Sequence, residues 1–248
     1  MSTDPVLLLH GQPGAAGDWQ ALRGALGNAV RTIAIDRPGW DKRSAVTDLA
    51  GNARAALAAL DQAGAARATV VGHSLGAAVA LWLACASPER VERLVLVAPA
   101  ANVDSLGALD YLLAAPLIGW LASVGAMAGG GLVLGVEPAR RRVAYATGLD
   151  QRYLRAAGRM LLAPITWRSF VREQRFLVRD LPVLERRLER IYTPTTIVAG
   201  SADRVVSIAA ARHLARQIRS AQLVVVEDAG HLLHVHHAAR LAGVIVAA

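Results

Sequence analysis

Six short apolar runs, each the length of a strand and too short for a helix, recur along this 248-residue chain. They are Pro5–His10, Val30–Asp36, Ala68–Gly72, Val91–Ala98, Thr195–Gly200 and Gln222–Glu227. Helix-like spacing separates them: Gly17–Asn28 (with Trp19, Leu22 and Leu26), Ser44–Gly64, Leu75–Ser87, Ser207–Ser220 and His231–Val246. Strands that are apolar on both faces must be covered on both faces, and strand–helix alternation builds right-handed parallel crossovers. The expected class is therefore α/β: a doubly wound, mostly parallel sheet of about six strands with helices on both faces. Residues 101–192 break the alternation and read as helices only.

The length suits one core, with 54% hydrophobic residues and a mean hydropathy of +0.36, which excludes a disordered chain. A single cysteine, Cys85, excludes an internal disulfide framework and a cysteine-based zinc cluster; its place after the third strand marks it as a small core side chain. Met1–Gln12 has neither a basic leader region nor a cleavage site, so a cytoplasmic location is expected. The net charge is +8, and Lys42 is the only lysine among 27 basic residues. Residues 139–190 carry 13 arginines against five acids, so the whole excess sits in that segment. Such a segment is either a solvated helical face or a surface for something anionic: a substrate, an acidic carrier protein or a membrane. Aromatics are 4% of the chain, too few for stacking bases, so no nucleic-acid partner is expected.

Tyr111–Val136 carries no charge. It is long enough to span a bilayer, but Pro116 and six glycines argue against one continuous spanning helix. The first expectation is an apolar lid over a pocket; contact with a membrane surface or another subunit is the second.

The chemistry concentrates at Gly72-His73-Ser74-Leu75-Gly76. A Gly-x-Ser-x-Gly sequence between a strand and a helix makes a sharp turn that lifts the serine off the sheet, and the small residues let neighbouring backbone approach. A serine nucleophile needs a base and a group that orients the base. Asp203 follows the fifth run and His231 the sixth, both at the carboxyl ends of expected parallel strands, where open α/β sheets bind ligands. Asp104 and Asp228 are alternative acids. His234, His236 and His237 crowd the same helix start, but without carboxylate or cysteine partners they make a poor metal site, and none is expected. Backbone donors for an oxyanion are expected at Leu75 and at Gln12, in the loop His10-Gly11-Gln12-Pro13-Gly14. Trp82 reads as packing, whereas Trp120 and Trp167 are candidates for lining a pocket.

Together with Asp36-Arg37-Pro38-Gly39 and the following Ser44, these segments resemble the α/β-hydrolase superfamily over about 1–100 and 193–248. The resemblance implies a hydrolase core over those residues, with 101–192 as a helical cap or lid. It implies Ser74 as nucleophile, His231 as base, Asp203 as acid and the amides of Gln12 and Leu75 as oxyanion donors, with no cofactor. Three departures stand out: the two leading antiparallel strands of the family are not seen, Trp40-Asp41 replaces a small residue and glycine, and Ser207 stands where proline is common.

Serine at the elbow argues against epoxide hydrolases and dehalogenases, which use aspartate there. Leu232 after His231 argues against the carbon–carbon bond hydrolases, which carry tryptophan. The expected activity is hydrolysis of a fairly apolar carboxylic ester, a small molecule, through an acyl-enzyme. A thioesterase, which would use the basic segment, is the first alternative. A non-catalytic ligand-binding protein on the same fold, and a lyase using the same residues, are others.

Overall fold

The computed structural model describes residues 4–247. All six apolar runs are strands: β1 (Val6–Leu9), β2 (Thr32–Ile35), β3 (Ala68–His73), β4 (Val91–Val97), β5 (Thr195–Gly200) and β6 (Ala221–Val226). They form one parallel sheet in the order β2-β1-β3-β4-β5-β6. The helices of the core are α1 (Gln20–Leu26), α2 (Leu49–Gln62) and α3 (Leu75–Ala86). Four more, α4 (Ala108–Ala114), α5 (Ile118–Gly135), α6 (Glu137–Thr147) and α7 (Gln151–Leu162), lie between β4 and β5, followed by the long α8 (Pro164–Glu185). The chain closes with α9 (Ile208–Gln217), the single turn α10 (Leu233–His236) and α11 (Ala238–Ala247).

Alternation along each strand divides the core in two. Leu7, Leu9, Val70, Leu94, Leu96 and Ile197 face α2, α3, α9 and the end of α8. Val6, Leu8, Val71, Val95, Val97 and Val198 face Trp19, Leu22 and Leu241 on the other side. Fully burying one such aliphatic side chain contributes roughly 1.5–3 kcal/mol, so the two layers together anchor the sheet. The first layer also takes in Leu177, Leu181, Leu184 and Leu188. By packing, therefore, the second half of α8 belongs to the core rather than to the inserted helices.

Three segments differ from the sequence expectation. Helix α2 begins at Leu49, because the Asp48 carboxylate caps it by accepting from Gly51 N at 2.8 Å; Ser44 instead joins the Asp41 turn, its hydroxyl donating to the Asp41 carboxylate at 2.7 Å. The expected closing helix starts two residues late, which leaves His231 and Leu232 in the loop ahead of α10. In the uncharged stretch Pro116 does separate α4 from α5, but the glycines do not interrupt α5. They serve close packing: a Cβ at Gly131 would lie 2.7 Å from Leu162 Cγ and 3.1 Å from Gly158 O.

Crossings of backbone on backbone fix the carboxyl edge of the sheet. A Cβ on Gly72 would overlap the Gly76 carbonyl, and one on Gly76 would overlap the Leu9 carbonyl. Gly76→Ala is expected to lower unfolding free energy by about 3 kcal/mol or to prevent folding. Gly24→Ala, in an open exposed position of α1, should be neutral or stabilising by roughly 0.5–1 kcal/mol. Urea unfolding of the two variants checks the contrast.

Candidate active site

The site is assembled from loops at the carboxyl ends of strands of the sheet. At the end of β3 the chain reverses into α3 through Ser74, which holds φ 53° and ψ −120°. A non-glycine residue there costs of order 1–3 kcal/mol and persists only where surroundings enforce it. Here Ser74 N donates to Val97 O at 2.9 Å, and Ser74 O accepts from Ala77 N and Ala100 N. The side chain is buried at the amino end of α3, the positive end of its dipole.

The loop after β1 lies directly against this serine. A Cβ on Gly11 would sit 3.0 Å from Ser74 Cβ and 2.9 Å from His73 Nδ1. Among the described residues, neither Gln12 N nor Leu75 N donates to a protein acceptor. Both of the expected oxyanion donors are thus free amides on segments that flank Ser74.

Asp203 and His231 are brought together from β5 and β6. His231 Nδ1 donates to Asp203 Oδ2 at 2.8 Å, with the aspartate side chain 2% exposed. The other carboxylate oxygen accepts from Val205 N at 2.8 Å and Val206 N at 3.0 Å. The carboxylate is therefore held through both oxygens, and Nε2 of His231 makes no hydrogen bond among the described residues. Ser74 Oγ makes no hydrogen bond among the described residues; such contacts are commonly long in an unliganded site. The alternative acids are occupied elsewhere: Asp104 pairs with His213, and Asp228 is exposed. Ser207, the departure from the family pattern, caps α9 by accepting from Ala210 N at 3.2 Å.

Several residues of the site carried no signal of their own in the sequence. His73 Nε2 donates to the His231 carbonyl at 3.0 Å and so tethers the loop that carries His231. Its ring packs at a tilt against His234, centroids 4.1 Å apart, and His234 packs on Trp19. Burial pushes His234 down to about 3, and burial holds His73 and His10 well below the ordinary histidine value of 6.5. His236 is exposed, and no three potential ligands gather to hold a metal among the described residues.

Arg37, fully buried after β2, fastens the Gly11 loop. Its Nε donates to His10 O and its Nη2 to Gly11 O, each at 2.8 Å, and its backbone N donates to His10 Nε2 at 3.0 Å. Its charge is met by Glu173 of α8, also buried, which in addition accepts from Trp40 Nε1 at 3.0 Å. Trp40, where the family has a small residue, is thus a donor to the buried carboxylate. Gln12 donates through its side-chain amide to Gln174, which donates on to Asp110 Oδ1 at 2.9 Å. The only hint of these partners was spacing: Glu173, Leu177, Asp180, Leu181 and Leu184 share one helical stripe.

A cavity of about 1000 Å³ opens between the core loops and α7. Its wall includes Pro13, Gly14, Trp40, Met160, Ile165 and Val235, with Lys42, Arg152 and Arg159 among its polar residues. Ser74 is not in the wall, but Gly14 and Val235 are close in sequence to Gln12 and His231. Asp18, half-buried in the same wall, is pushed up to about 6 by its partial burial. The uncharged stretch does not cover this cavity, contrary to expectation. Helix α5 buries Gly119, Ser123, Met127 and Gly131 against its neighbours and turns its other side outward. Trp120 and Trp167 do not line the cavity either.

The pKa directions set an acid limit on stability. Below pH 6.5 the unfolded chain protonates histidines that the folded chain keeps neutral, so stability falls as pH drops from 6.5 toward 3. His234→Leu should flatten that slope by up to about 1.4 kcal/mol per pH unit, read by urea unfolding at several pH values. Separately, Arg37→Met strands the Glu173 carboxylate in the interior and should cost about 3–5 kcal/mol. The double variant Arg37→Met/Glu173→Leu should recover part of that loss.

A family model described as the alpha/beta hydrolase family matches residues 6–244. A 2-hydroxy-6-oxononadienedioate/2-hydroxy-6-oxononatrienedioate hydrolase of Pseudomonas putida is 30% identical over 255 residues, 95% of this chain and 84% of that one. A 2-hydroxy-6-oxo-6-phenylhexa-2,4-dienoate hydrolase of Comamonas testosteroni is 36% identical over 104 residues, 39% of this chain and 36% of that one. Among solved structures, an alpha/beta hydrolase fold protein of Burkholderia ambifaria superposes with a TM-score of 0.81 at 23% identity, covering 100% of this chain and 91% of that one. A thermophilic esterase of Thermogutta terrifontis superposes at 0.75 and 21% identity, covering 99% and 89%. With the family model spanning nearly the whole chain, and a six-stranded parallel sheet whose elbow carries Ser74, the chain belongs to the alpha/beta hydrolase family.

Proposed function

We propose that the protein is a serine hydrolase that cleaves a carboxylic ester of a fairly apolar small molecule, and that it works in the cytoplasm. The observation that carries the reading is the fixed Asp203–His231 hydrogen bond beside a strained serine elbow. Ser74 Oγ attacks the ester carbonyl while its proton passes to His231 Nε2. The amides of Gln12 and Leu75 meet the oxyanion; one such donor is worth roughly 3 kcal/mol in the transition state. His231 then returns the proton to the departing alcohol and leaves an acyl group on Ser74. Water, deprotonated by His231, releases the acid. Asp203 holds the imidazole tautomer and supports its positive charge. No cofactor takes part in this scheme.

The apolar character of the substrate rests on Trp40, Met160, Ile165 and Val235 in the cavity wall, rather than on the uncharged stretch. A second reading, hydrolysis of a carbon–carbon bond, is favoured by the likeness to the Pseudomonas putida hydrolase and would use the same three side chains; Leu232 in place of tryptophan weighs against it. The thioester reading has less to stand on, because several arginines of the basic segment are engaged within the fold. Arg140 donates to Leu134 O at 2.9 Å and Arg175 to Ala114 O at 3.1 Å, each at a helix end.

Hydrolysis of p-nitrophenyl esters from acetate to palmitate tests the proposal. Ser74→Ala should lower kcat/KM by at least about ten-thousandfold with the melting temperature retained. Undiminished turnover by that variant would overturn it. Wild-type preference for a 2-hydroxy-6-oxodienoate over every ester would move the assignment to the second reading, and tight ligand binding without turnover would move it to a receptor.

A further inference from the structure

Helix α5 presents an unusual exterior. Ile118, Leu121, Leu132 and Val133 stand on one side of it, between 48% and 63% exposed, and Gly125 and Gly129 complete that side. The opposite side buries Gly119, Ser123, Met127 and Gly131. The outward side runs the whole length of the helix, about 27 Å, without a charge or a side-chain hydrogen-bonding group. Leu109 and Tyr111 of α4 and Leu117 just ahead of α5 are likewise about half exposed or more. An apolar face of this extent on a water-exposed helix calls for a covering partner.

The charges around it identify that partner. Helix α6 follows α5 after one residue and carries exposed Arg141 and Arg142, with Tyr145 94% exposed one turn on. Four acids of this region are already engaged: Glu137 with Arg141, Asp150 capping α7, Glu173 with Arg37, and Asp180 with Arg179 and the start of α2. A second copy of the chain would set two such arginine-bearing surfaces against one another. An acidic phospholipid surface accepts both features at once, apolar side chains into the acyl boundary and arginines onto the head groups.

We propose that the α4–α5 face, with the arginines that follow it, seats the protein on the surface of an anionic bilayer. The helix lies on the membrane rather than across it, since one side of α5 is already packed on α7 at Gly131 and on α4 at Gly119. The inference does not depend on the ester chemistry.

Flotation of the full chain with lipid vesicles tests it. Binding to phosphatidylcholine–phosphatidylglycerol vesicles should exceed binding to phosphatidylcholine alone by about tenfold or more, and should weaken at high salt. Leu121→Asp/Leu132→Asp should remove the binding, and Arg141→Gln/Arg142→Gln should reduce it severalfold, both with unchanged ester turnover. Brominated lipid should quench wild-type tryptophan emission, less so in Trp120→Phe, a readout that needs no variant of the apolar face. Absence of flotation with the anionic vesicles would overturn the proposal, as would equal binding to both kinds. So would a dimer in solution that Leu121→Asp/Leu132→Asp dissolves while vesicle binding is absent.

Discussion

The crossing of β3 and α3 at Gly72 and Gly76 is the constraint on which the site rests. The strand and the helix leave Ser74 at a separation that admits no Cβ at Gly72, and α3 meets the end of β1 so closely that none fits at Gly76. That closeness imposes the positive φ on Ser74, because the chain has no other way to reverse in so few residues. It also presses α3 onto the end of β1, so the Gly11 loop comes against the serine side chain. Parallel order does the rest. With β1 and β4 flanking β3, and β5 and β6 beyond, every loop bearing a polar group of the site leaves the same edge of the sheet.

A second layer of order comes from buried charge. Arg37 neutralises Glu173 and donates to two carbonyls of the oxyanion loop at the same time. An ion pair withdrawn from water is a weak source of net stability, because both partners lose hydration. Its value here is positional: it joins the loop after β2, the loop after β1 and α8 at one point. The loop that shapes the active site and the helix that leads back from the insertion therefore hold each other. The histidines act similarly on the other side. Kept neutral by burial, His73 and His234 form a packed base under the loop that carries His231.

Much of this was legible in the chain. Short runs such as VERLVLV and TTIVAG are apolar on both faces and admit no other reading than interior strands. The elbow was legible because its glycines are demanded by sterics, and Asp203 and His231 because strand ends locate loops. What escaped was pairing at long range. Periodicity marks the inward stripe of α8 but does not say that Glu173 meets a residue 136 positions earlier. Hydropathy likewise could not orient Tyr111–Val136. Its leucines and valines are apolar enough for a core, yet its small residues form the buried side, since only they allow α7 to approach. Nor does periodicity say that one continuous helix, α8, packs on the core through Leu177, Leu181 and Leu184 at its end.

The account makes Ser74 a hydroxyl whose reactivity depends on His231. Labelling with a fluorophosphonate, followed by mass spectrometry of the digested protein, reads this directly and requires no knowledge of the substrate. The account predicts one covalent adduct, on Ser74, with its formation slowed strongly in His231→Ala while the fold is retained. An unlabelled Ser74 in folded wild-type protein, or labelling that proceeds at the same rate without His231, would contradict it.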